Sequence, residues 1–143
     1  MDGNVEFLNY IHQNAEMGID TIHQLIGISQ DEEYKKMLRS QLQEYKIIYD
    51  STEEKLKEIN KAAKDINAFS KGSAYAMINL KTLANKSPSH ISEMLIQGST
   101  TGIVDITKKL KEYADADDEI LSLANKLLIL EQNNVEECKK YLQ

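Results

Sequence analysis

A single proline, six glycines, one cysteine and no tryptophan stand out first in this chain of 143 residues. So few chain breakers favour long helices over many short strands. One cysteine, Cys138, excludes an internal disulfide framework and fits a reducing compartment, so a cytoplasmic location is expected. Basic residues are outnumbered: 17 Lys and Arg against 23 Asp and Glu leave a net charge of -6. That deficit argues against nucleic acid or an anionic membrane as partner. No apolar run approaches the length of a membrane span, and the N-terminus has no basic-then-apolar stretch, so neither a span nor a signal peptide is expected. Apolar residues make up 41%, enough for a real core. One domain over residues 1–143 is expected, all-α in class.

Periodicity at 100° per residue places four long helices. The first is expected from about Asn4 to Ile26, with Asn4 as N-cap and Gly27 as its stop. Leu8, Ile11, Ala15, Ile19, Ile22 and Ile26 share its apolar face. The second opens at Ser29-Gln30-Asp31-Glu32, read as a capping box led by Ser29, and continues to about Ala62. Its inward face carries Tyr34, Leu38, Leu42, Tyr45, Ile48, Tyr49, Leu56 and Ile59. The segment 63–86 reads as a connection holding a short helix, Ala74 to Asn85. Ser87-Pro88 restarts the chain as N-cap and first helical residue of a helix running to about Ala114. A last helix is capped within Asp115–Asp118 and runs nearly to Gln143. Two hairpins with a long link between the second and third helices predict the ferritin-like four-helix bundle, with a crossover that contains a short extra helix.

Polar residues on inward faces are the informative ones. Glu131 and Asn134 sit mid-stripe between Leu127 and Cys138. A carboxylate there is costly unless it is paired, hydrogen-bonded or bound to metal. Counting residues outward from each turn puts Glu131 level with Ser99, and Glu16 level with Tyr45. Glu131, Asn134, Tyr45, Ser99 and Glu16 are therefore expected to form a buried polar cluster.

The crossover run Lys71-Gly72-Ser73-Ala74 with Ile78-Asn79-Leu80-Lys81, and the stretch around Gly98-Ser99, resemble a small bacterial ferritin-like four-helix-bundle family without an assigned role. The wider superfamily implies iron storage or di-iron oxidation where its ligands are present. Here Ser99 stands where a glutamate often follows the third-helix glycine. Tyr45-x-x-Ile48 stands for Glu-x-x-His in the second helix, and Asn134 for the fourth-helix histidine. The resemblance thus implies a degenerate di-iron site. If any metal binds, Glu16, Glu131 and His12 are its candidates, with iron as the alternative to no cofactor.

Other features have plainer readings. His12, Glu16 and His23 share a shoulder of the first helix and read as a partly solvated edge with a His–Glu pair. His90 is expected at the surface. Glu53-Glu54-Lys55-Leu56-Lys57-Glu58 reads as a solvated face, and Cys138 as a small buried hydrophobe. Gly98-Ser99-Thr100-Thr101-Gly102 suggests close backbone approach, a small-ligand pocket, or room for a neighbour such as Tyr45. No catalytic residues are assigned. The expected function is a non-catalytic bundle acting through protein association, as a homodimer or with another protein. The alternative is an iron-binding ferritin-like oxidoreductase or storage protein with an incomplete carboxylate site.

Overall fold

The computed structural model describes residues 3–59 and 84–143. These form α1 (Gly3–Ile28), α2 (Glu32–Glu58), α3 (Pro88–Glu112) and α4 (Asp118–Lys139), with no strand among the described residues. The 27 residues of α2 span about 40 Å at 1.5 Å per residue. None of these helices is long and apolar enough to cross a membrane. The expected crossover helix over Ala74–Asn85 and both crossover motifs lie outside the described residues, save that Ala84 and Asn85 are not helical.

The apolar stripes meet in one continuous core. Leu8, Ile11, Ala15 and Ile22 of α1 are buried as expected, joined by Phe7 and Leu25, while Ile19 and Ile26 are only partly covered. Tyr34, Leu38, Tyr45, Ile48 and Leu56 bring α2 into the same core, and Ile91, Leu95 and Ile106 bring α3. Ile120, Ala124, Leu127 and Cys138 complete it from α4.

Residue pairs fix the direction of each helix. At one end Phe7 stacks on Tyr113 with ring centroids 5.0 Å apart, and Lys55 meets Glu119 at 2.6 Å. At the other end Tyr34 bonds Ser92 at 2.8 Å and packs edge-on to Tyr141. Thus α1 runs against α2 and α3, and α4 runs against α2 and α3. The second and third helices point the same way.

The helix ends correct several expectations. Ser29 is not the cap of α2: its hydroxyl donates back to Leu25 O at 2.7 Å, because the chain stays helical through Gly27 and Ile28. Gly27 therefore stops nothing. The cap is Asp31, in extended backbone, whose Oδ1 accepts from Tyr34 N at 2.9 Å. Asn4 lies inside α1 rather than capping it, and its Oδ1 accepts from Asp117 N at 2.9 Å. Asp117 holds the cap position of α4 without a side-chain capping bond. Ser87 and Pro88 act as expected, with Ser87 Oγ accepting from His90 N. The third helix ends at Glu112 and the fourth at Lys139, each shorter than the apolar periodicity suggested.

If Asp31 is the cap, Asp31→Ala should lower unfolding free energy by about 1 kcal/mol in urea denaturation, because the Tyr34 amide loses its acceptor. A change below about 0.3 kcal/mol would locate the helix start elsewhere.

Candidate functional site: a buried carboxyl network

The centre of the bundle holds a carboxyl group. Glu131 projects from α4 into the core and is 5% exposed. Its Oε1 accepts two hydroxyl donors, Tyr45 Oη from α2 at 2.7 Å and Ser99 Oγ from α3 at 2.9 Å. Asn134, one turn along α4, donates from Nδ2 to Tyr45 Oη at 3.3 Å. The amide thus polarises the phenol, and the phenol bonds the carboxyl, in a chain of three groups. Burial raises the Glu131 carboxyl from its ordinary range to about 7; the Tyr45 and Ser99 hydrogen bonds pull the other way.

Two glycines make this geometry fit. A Cβ at Gly102 would sit 3.1 Å from Glu131 Oε2, so this gap in α3 receives the carboxyl. A Cβ at Gly18 would sit 2.5 Å from Tyr45 Cε1, so the phenol ring lies directly against the α1 backbone. The Tyr45 ring is accommodated by Gly18, not by the small-residue stretch of α3. The difference is one of side: Tyr45 turns its ring edge toward α1 and its hydroxyl toward α4.

Tyr45, Ser99, Glu131 and Asn134 are thus brought together, and of their contacts the facing of Ser99 and Glu131 is the one that the level along the hairpin implied. Glu16 is half-buried, and its charge acts on the Tyr49 hydroxyl, raising it together with Glu53, Asp50 and Asp20 after the larger effect of burial. Tyr10 is a neighbour the sequence did not flag. Its hydroxyl is raised first by burial, then by the charges of Asp105 and Glu131.

His12 is not a solvated shoulder residue. It is 2% exposed, its Nδ1 lies 3.0 Å from Thr52 Oγ1, and its ring packs 4.4 Å from that of Tyr49. Thr52 donates its own proton to Tyr49 O, so Nδ1 carries the hydrogen of the His12–Thr52 bond. Nε2 then faces Glu53 Oε2 at 3.5 Å. Burial lowers the His12 pKa, and Glu53 offsets this in part. The Glu53 run is therefore not simply a solvated face: Glu53 turns to His12, and Lys55 reaches across to Glu119. His23 is exposed, and His90 is half-buried rather than at the open surface.

Other inward polar groups pair with sulfur or with carboxylates. Gln41 Nε2 donates to Met37 Sδ at 2.9 Å and lies 3.7 Å from Cys138 Sγ. Cys138 is buried as expected, and burial pushes its thiol pKa up, which leaves it a poor nucleophile. Tyr113 Oη donates to Glu6 at 2.8 Å; that bond leads in raising its hydroxyl to about 12. Among the described residues no three His, Cys, Asp or Glu side chains are grouped to hold a metal ion.

Two outcomes follow. Glu131 has a folded-state pKa of about 7 against an ordinary 4.5, so the folded state holds its proton longer than the unfolded chain. Its stability contribution is full below pH 4.5 and is lost as pH rises through 7. Urea titrations at pH 4 and pH 8 should show wild type losing about 3 kcal/mol more than Glu131→Gln, which keeps an oxygen for Tyr45 and Ser99. His12 shifts stability the other way with pH in both proteins, so the difference isolates Glu131. Equal pH dependence of the two proteins would mean the carboxyl is not desolvated. At position 18, the helix propensity of alanine favours Gly18→Ala by about 1 kcal/mol, and the Tyr45 clash outweighs it. A net loss of about 1–2 kcal/mol is expected, and a more stable variant would show that the Tyr45 ring moves freely.

No protein-family model, no curated protein and no solved structure matches this chain.

Proposed function

We propose that this protein is a non-catalytic bundle of ferritin-like topology that acts through protein association and carries a polar network where a di-iron site would lie. The observation that carries the reading is the donor set around Glu131. Its Oε1 accepts protons from Tyr45 and Ser99, neutral hydroxyls projecting from α2 and α3. A bridged pair of irons needs lone pairs from several carboxylates with imidazole at one level. Hydroxyls that present their protons to the Glu131 carboxylate do not fit that requirement. Asn134, at the level of an imidazole, spends its amide N–H on Tyr45. The shared direction of α2 and α3 supports the topology, since parallel second and third helices require a long crossover.

Association is supported by the outer faces. Ile47, Val104, Ile129 and Leu142 are large apolar side chains between 42% and 53% exposed. On this reading the buried network keeps the helices in register, and the surface does the work.

Anaerobic loading with ferrous iron, desalting and iron analysis test the metal half of the proposal. The expected result is no stoichiometric iron retained. About two irons per chain, with an oxo-bridged absorption band after oxygen is admitted, would overturn the reading and favour an iron oxidoreductase or storage protein.

A further inference from the structure

Ile47 of α2 is 50% exposed and Ile129 of α4 is 53% exposed. They are not scattered. Both line one groove of about 860 Å³ between α2 and α4, whose floor is Ile48 and Leu130. The groove continues past Lys126 into a second depression along the same two helices, toward the end of α2 and the start of α4. From Glu33 to Glu58 the furrow is about 37 Å long at 1.5 Å per residue. Its centre is apolar and its length suits a helix of about 25 residues.

Its charge is one-sided. Seven carboxylates line the two depressions against three lysines. Lys55 is held by Glu119 at 2.6 Å and by Glu58 at 3.7 Å, and Glu137 is held by Lys140 at 2.9 Å; with these pairs set aside, Glu33, Glu44, Glu54 and Asp118 still outnumber Lys36 and Lys126. A second copy docking through this face by two-fold symmetry would set acidic walls against acidic walls. An anionic surface is disfavoured for the same reason. What complements the furrow is a helix with an apolar stripe flanked by Lys and Arg.

We infer that the α2–α4 furrow is a docking site for a basic amphipathic helix of a partner protein, anchored on Ile47 and Ile129. This rests on the association reading above and names its surface and partner class. The mode is helix-in-groove recognition: apolar anchors at i, i+3, i+4 and i+7 enter the furrow, and basic residues meet its rims. Asn134 lies on the furrow wall and donates to Tyr45, so an occupant sits next to the buried network.

The test uses the full chain and a fluorescein-labelled 18-residue peptide of Leu, Ala and Lys with leucines at those spacings. Its control has the same composition in an order that forms no apolar face. Fluorescence anisotropy near 150 mM salt should show saturable one-to-one binding of the patterned peptide. Ile47→Ser with Ile129→Ser, both at exposed positions, should weaken binding at least tenfold while leaving the circular dichroism spectrum unchanged. Glu44→Lys with Glu137→Lys should also weaken it, and raised salt should do so for the wild type. Absence of binding, equal binding of the control peptide, or indifference to the isoleucine changes would overturn the inference. So would concentration-dependent dimerisation in sedimentation abolished by the same isoleucine changes, because the occupant would then be a second copy. None of these results alters the iron-loading outcome, so failure of the furrow and failure of the degenerate-site reading remain separate.

Discussion

A carboxyl group on the bundle axis constrains everything near it. Removing Glu131 from water is unfavourable unless its lone pairs are taken up, and Tyr45 and Ser99 take up two at one oxygen. Those donors come from different helices, so α2, α3 and α4 are tied at one level. The aliphatic contacts around them are non-directional and would tolerate sliding; the hydrogen bonds would not. Gly18 and Gly102 then become necessary, one for the phenol ring and the other for the carboxyl. The cost of two mid-helix glycines is offset by the geometry they allow.

The ends of the bundle are secured by separate devices. Phe7, Tyr113 and Glu6 join α1 to the close of α3, and Asn4 holds the Asp117 amide before α4. At the opposite end Tyr34 contacts both Ser92 and Tyr141. His12 and Thr52 bind α1 to α2 between these ends. Each of these is a directional contact between helices whose apolar faces alone specify little register. The exposed ion pairs one turn apart, such as Lys139 with Glu136, add little by comparison.

The four helices were legible because each carries a long stripe at helical spacing, and a proline after serine marks the start of α3 without ambiguity. The pairing of Ser99 with Glu131 was legible because a tight turn at 113–117 fixes the level of residues counted outward from it. Other features were not legible, for physical reasons. Position along a helix face gives an angle but not the neighbour it meets, so His12 read as an edge residue until Thr52 and Glu53 closed over it. Likewise Ser29 suits a cap by residue type, and the cap falls to Asp31 instead because the chain stays helical through Ile28. Gly18 carried a usable signal, an unforced glycine inside a strongly helical run. What it lacked was any sequence indication that Tyr45 would be the side chain lying on it.

The central claim is that Glu131 is a desolvated carboxyl held by two hydroxyls, and its own titration tests this most directly. With glutamate side chains labelled by carbon-13, the carboxyl resonance absent from Glu131→Gln identifies Glu131. That resonance should titrate near pH 7. A midpoint near the ordinary value of 4.5 would place the group in water and contradict the account.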